Sequence, residues 1–143
     1  MHLIIDGYCA NADKLQDTRL VERFLDEYPA AIGMTKIISP QVYTYRGKVA
    51  EDWGVSGFVL IAESHISVHT FPARGYVNID IFSCKDFDPG DSLEDVKATF
   101  SLPEVKVWTL DRGVEYSTPR AAYQGAVRER VHLIPDRRSR DAR

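Results

Sequence analysis

Apolar and polar residues alternate at every second position through His65-Ile66-Ser67-Val68-His69-Thr70, and Tyr76–Cys84 repeats the pattern with Val77, Ile79 and Ile81 on one side. A period of two is the signature of a half-buried strand. With Val55–Ala62 before them, these runs are separated by short turn material such as Pro72-Ala73-Arg74-Gly75, which predicts an antiparallel meander. Upstream, His2–Cys9 reads as a strand. It is followed by a helical pattern in which Asp17 caps Leu20, Val21, Phe24 and Leu25, with Pro29 and Gly33 near its end. Residues 34–46 are rich in β-branched and aromatic side chains, and Pro40 restricts them to an edge strand or a bulge. Downstream, Ser92–Ser101 reads as a second helix capped by Ser92, and Glu104–Leu110 as a last strand.

The order β-α-β-β-β-β-α-β predicts an α+β fold, a two-layer sandwich with helices on one face of an antiparallel sheet. The apolar sides of the strands then face the helices. The other face collects His65, Ser67 and His69 from one strand, with Asn78, Asp80 and Cys84 from its neighbour.

Composition changes this picture little. At 143 residues and 44% apolar content the chain fits one folded domain, and a net charge of -3 offers no general attraction to nucleic acid or anionic membranes. The N-terminus lacks a basic region and meets Asp6 early, so neither a signal peptide nor a membrane span is expected. A cytoplasmic location follows as the expectation, with Cys9 and Cys84 reduced. Residues 128–143 carry six arginines against three acids and little apolar content, and are expected to be a solvated, partly disordered end.

Several chemistries compete for the polar face. His65 and His69 as a metal pair are separated by roughly 13 Å along a strand, too far for one ion, so no metal is expected. A Ser-His hydrolase built on Ser64 or Ser67 lacks the G-x-S-x-G elbow and the parallel sheet that carries it. Cys84 considered alone fits a small core residue better than a reactive thiol.

Five blocks then coincide in order and spacing: Gly54-Val55-Ser56-Gly57, Ala62-Glu63-Ser64-His65, His69-Thr70-Phe71-Pro72, Gly75-Tyr76 and Asp80-Ile81-Phe82-Ser83-Cys84. Together they resemble the short prokaryotic form of S-adenosylmethionine decarboxylase. The resemblance is strong over residues 54–84 and looser from His2 to Gly113. It implies a catalytic domain over residues 1–113 and an extension over 114–143.

The resemblance further implies a self-processing zymogen. The Ser64 hydroxyl attacks the Glu63 carbonyl, an ester replaces the peptide, and β-elimination leaves chains 1–63 and 64–143, the second beginning with a pyruvoyl group made from Ser64. That group is the implied cofactor; it forms a Schiff base with a substrate amine and accepts electrons as carbon dioxide leaves. By the same resemblance, His69 is the base that removes the serine α-hydrogen, Ser56 binds the developing oxyanion, and Cys84 protonates the product. Asp6, Trp53, Phe71, Ala73 and Arg74 are the expected substrate-binding residues. The family's protomers pair into a four-layer αββα sandwich with sites near the interface, so a homodimer is expected.

One position departs from the family pattern. Members acting on S-adenosylmethionine usually read H-T-W-P-E, where the glutamate holds the ribose hydroxyls, whereas this chain reads His69-Thr70-Phe71-Pro72-Ala73. Losing one charged acceptor costs about 1.5–3 kcal/mol, roughly tenfold to a hundredfold in binding. That favours a small basic amino acid, ornithine or arginine, with Asp6, Glu51 or Asp52 holding its cationic end. S-adenosylmethionine is the alternative, and a non-catalytic regulatory relative the second. Ornithine, arginine and S-adenosylmethionine all lead into polyamine biosynthesis.

Overall fold

The computed structural model describes residues 1–8 and 10–111. Cys9 and the arginine-rich end fall outside the described residues, and with them the expectations placed there. Six strands form one antiparallel sheet: β1 (His2–Tyr8), β2 (Gln41–Arg46), β3 (Trp53–Ile61), β4 (Ser64–Phe71), β5 (Tyr76–Ser83) and β6 (Glu104–Leu110), in the spatial order β2-β3-β4-β5-β1-β6. Strands β3 to β5 run as the expected meander, and β2 pairs with β3 at the sheet edge. β1 inserts between β5 and β6, pairing Ile4 with Asp80 on one side and with Trp108 on the other.

Three helices cover one face: α1 (Ala12–Gln16), α2 (Thr18–Ala31) and α3 (Pro89–Phe100). Asp17 caps α2 as expected, its carboxylate accepting from the amides of Arg19 and Leu20. The cap of α3 is Asp88 rather than Ser92: Asp88 accepts from the amides of Gly90 and Asp91, Pro89 opens the first turn, and Ser92 lies buried inside the helix. The segment 34–46 is also corrected. Only its second half, β2, pairs as a strand, while residues before Pro40 run beside the β3–β4 turn with a single bridge between Lys36 and Ile61.

The core lies between sheet and helices. Leu3, Ile5, Val59, Ile66, Val68, Ile79 and Ile81 from the strands meet Leu15, Val21, Leu25 and Phe100 from the helices, each at least 98% buried. Phe24 stacks on Tyr28 and meets Phe100 edge-on, which joins α2 to α3. Burying one such side chain contributes about 1.5–3 kcal/mol.

Thr70 shows why the helical layer sits where it does. Its buried hydroxyl donates to the Leu15 carbonyl at the end of α1 and accepts from the Val55 amide of β3. Gly54 permits the neighbouring backbone to close in, since a Cβ there would stand 1.7 Å from the Thr70 carbonyl oxygen.

Candidate active site

Alternation puts one residue set on the sheet face that no helix covers. Cross-strand register arranges that set in rows. Leu60, His65, Phe82, His2 and Leu110 form the row nearest the β3–β4 turn. Four residues along each strand, Tyr43, Ser56, His69, Asn78, Asp6 and Lys106 form a polar band across the sheet.

The turn itself is two residues long, Ala62-Glu63, between the paired ends Ile61 and Ser64. It is held from both sides. The Cys84 amide donates to the carbonyl oxygen of Glu63 at 3.0 Å, and the Ala62 amide donates to the Thr35 carbonyl at 2.8 Å. The Thr35 amide donates to the Glu63 carboxylate at 3.1 Å. Thr35 acts here through its backbone amide and carbonyl, so nothing in its residue type marked it as part of this end of the molecule.

Ser64 follows with φ of +156°, outside the region that an L-residue with a side chain normally occupies. Such a conformation stores about 1–3 kcal/mol and persists only where the surroundings enforce it. Its hydroxyl lies 3.1 Å from Nδ1 of the adjacent His65. The Glu63–Ser64 peptide therefore combines a strained serine, a hydroxyl next to the preceding carbonyl, and a backbone donor already on that carbonyl oxygen. Cys84 follows the end of β5 and is exposed.

The polar band holds the second group. His69 Nδ1 lies 3.0 Å from Ser56 Oγ on the facing strand. Asn78 donates to Asp6 at 2.6 Å and to the Tyr76 hydroxyl at 2.7 Å. Burial raises the Tyr76 phenol above its ordinary value, and the hydrogen bond and charge of Asp6 act in the same sense. The rings of Tyr8 and Phe71 pack against Tyr76 at 5.1 and 5.6 Å. Phe71 leads into the 3-10 turn Pro72–Arg74, where Ala73 and Arg74 are exposed. Trp53 opens β3, with the Arg46 guanidinium over its ring.

Sharing a face is not the same as being close. Ser64, Glu63 and Cys84 gather at one end of β4, whereas His69, Ser56, Asp6, Phe71 and Ala73 belong to the other. From Ser64 to His69 the strand rises roughly 17 Å. Within one chain His69 therefore stands at the far end of β4 from Ser64, and Ser56 shares its remoteness. The imidazole that does stand beside Ser64 is His65.

The comparisons with known proteins bear on the whole of this architecture. The sequence profile of the S-adenosylmethionine decarboxylase family matches residues 1–113. A protein of Clostridium botulinum (strain Hall), described as an S-adenosylmethionine decarboxylase proenzyme, is 34% identical over 113 residues, 78% of this chain and 92% of its own length. A proenzyme of the same description from Thermotoga petrophila is 33% identical over 113 residues, covering 78% and 82%. The crystal structure of the adenosylmethionine decarboxylase from Aquifex aeolicus superposes with a TM-score of 0.68 at 25% identity, over 82% of this chain and 92% of that one. These relatives are described as S-adenosylmethionine decarboxylases, which backs the alternative reading better than the preference for ornithine or arginine. The chain belongs to the S-adenosylmethionine decarboxylase family, and is accordingly a pyruvoyl-dependent carboxy-lyase made as a self-processing proenzyme.

Proposed function

We propose that this chain decarboxylates S-adenosylmethionine after cutting itself between Glu63 and Ser64. The observation that carries the reading is the Cys84 amide bonded to the Glu63 carbonyl oxygen beside a strained Ser64. When Ser64 Oγ attacks that carbonyl carbon, the oxygen gains negative charge, and a donor already at 3.0 Å stabilises it without reorganisation. Breaking the C–N bond converts the peptide to an ester and relieves the strain at Ser64. His69 then removes the α-hydrogen of Ser64, elimination frees a chain ending at Glu63 and leaves a dehydroalanine at position 64, and water adds to its imine tautomer to expel ammonia and leave the pyruvoyl group.

The residues present fit that group, because its parent serine heads a strand at an accessible hairpin tip with a thiol near it. When formed, the group supplies an electron sink for the bond to the departing carboxylate. Cys84 Sγ delivers a proton to the substrate carbon that loses carbon dioxide. Asp6 and the Tyr8, Tyr76 and Phe71 rings offer a carboxylate and aromatic faces to a cationic, purine-bearing substrate.

The distance between Ser64 and His69 requires two chains. The uncovered face exposes Tyr43 at 63%, Phe58 at 40%, Leu60 at 38% and Trp108 at 45%. A second copy related by a two-fold axis and stacked face to face, at the roughly 10 Å spacing of packed sheets, buries these side chains. It also brings the His69 end of one copy over the Ser64 end of the other. The proposed enzyme is a homodimer whose sites each draw on both subunits.

The mass spectrum of purified protein tests the cut: fragments 1–63 and 64–143 are expected, the latter blocked by pyruvate, and one intact chain after prolonged incubation overturns the reading. Carbon dioxide release from carboxyl-labelled S-adenosylmethionine, ornithine and arginine, measured side by side, tests the substrate. Release from ornithine or arginine instead would return the preference to a basic amino acid, and release from none would leave a regulatory relative.

A further inference from the structure

His65 has no part in the scheme above, although its ring is the one that meets the reacting serine. We propose that His65 is the base of the first processing step, taking the Ser64 hydroxyl proton as the oxygen attacks the Glu63 carbonyl. This inference rests on the cleavage reading and assigns a separate residue to the acyl shift.

Nδ1 of His65 lies 3.1 Å from Ser64 Oγ, within reach for direct transfer. His69, five residues along the strand, lies roughly 17 Å from Ser64 in the same chain. The His65 ring is also oriented. It meets the Phe82 ring edge-on at 5.6 Å, Phe82 in turn meets His2 at 5.4 Å, and His2 Nε2 pairs with Asp80 at 2.8 Å. That cross-strand chain holds the imidazole against rotation while its Nδ1 addresses the hydroxyl. The productive tautomer carries its proton on Nε2, leaving the Nδ1 lone pair for the incoming proton.

The step balances within the chain. The Oγ–C bond forms, the C–N bond of the peptide breaks, and one proton passes from Ser64 Oγ through His65 Nδ1 to the Ser64 nitrogen, which leaves as an amine. No oxidant, reductant or second reactant enters. The work divides between two imidazoles: His65 makes the ester, and His69 of the partner subunit consumes it.

Hydroxylamine separates the two stages, because it cleaves an ester at position 63 and leaves a peptide intact. In purified full-length protein, His65→Ala is expected to cut at least a hundredfold more slowly than wild type and to stay intact in hydroxylamine. His69→Ala is expected to stay uncut in buffer and to release fragment 1–63 when hydroxylamine is added. Added imidazole should partly restore cutting of His65→Ala, which a purely structural role would not produce. His65→Gln, closer in size, repeats the test alongside urea unfolding if the alanine variant folds poorly. Wild-type cutting rates in both variants, or ester in His65→Ala at the level of His69→Ala, overturn the role of His65 alone. A wild-type chain that never yields fragments overturns the cleavage reading and this inference together.

Discussion

The Cys84 amide donates to the Glu63 carbonyl oxygen at 3.0 Å, so in the proposed mechanism one residue brings two separate groups to the reaction, its backbone to the cut and its thiol to the product. Substitutions can divide them. Cys84→Ala keeps the amide and should cut at close to the wild-type rate while losing at least tenfold in carbon dioxide release. Cys84→Pro deletes the N–H, and loss of one such donor should slow cutting by about 10²–10³. Time courses on denaturing gels distinguish the two, and equal cutting rates would remove the amide from the mechanism.

A site shared between subunits can be rebuilt from two damaged chains. Ser64→Ala and His69→Ala should each remain uncut alone. Coexpressed, the His69→Ala chain should be cut, because its intact Ser64 meets the intact His69 of a Ser64→Ala partner. Mass spectrometry identifies which chain gives the fragments. Their absence, with mixed dimers present, would mean that each chain works alone. Trp108→Asp, on the uncovered face, should shift the sedimentation of the protein towards the monomer and slow cutting with it.

Ala73 stands in an exposed turn where the family pattern has a carboxylate. Ala73→Glu should lower KM for S-adenosylmethionine about tenfold to a hundredfold, with little change in kcat, as an added charged acceptor for hydroxyl groups would. An unchanged KM would show that the ribose is held from elsewhere.

Thr70 sits inside the His69-Thr70-Phe71-Pro72 block yet faces away from the chemistry. Thr70→Val would leave the Leu15 carbonyl and the Val55 amide without their buried partner, at a cost of about 2 kcal/mol or more. Urea unfolding should show a lower midpoint with an unchanged slope, and a midpoint equal to wild type would contradict the bond pattern.

Burial pushes the Tyr28 phenol up to about 12, with the nearby Asp95 carboxylate adding to the effect. The unfolded phenol ionises near 10, so the folded chain retains a proton that the unfolded chain loses. Stability from this group is complete below about pH 10 and falls as pH rises towards 12. Tyr28→Phe should flatten that part of the unfolding profile by about one proton, and parallel profiles would exclude Tyr28 as the source.

The strands were legible because their two-residue period is strong: Ile66 and Val68, or Ile79 and Ile81, have one burial pattern that satisfies them. Helix α1 was not, since five residues with one buried side chain, Leu15, carry no period. The cap of α3 was misread because Ser92 matches a capping pattern as well as Asp88 does; Pro89, which needs no amide partner, was the distinguishing signal. At the site, period two identified the shared face of His65 and His69 but not their separation. The Cys84 and Thr35 amides that brace the turn were invisible, because a backbone donor leaves no trace in residue type.

The insertion of β1 between β5 and β6 determines what kind of object the cut chain is. With the chain cut as proposed between Glu63 and Ser64, fragment 1–63 contributes β1, β2 and β3 and fragment 64–143 contributes β4, β5 and β6, so the sheet order interleaves the two products. Neither can depart without unzipping a central ladder on both of its edges. The proposed cut therefore frees neither chain: the two products should stay interlocked through β1 to β6, and dilution, chelation or salt should not part them while the sheet stays folded.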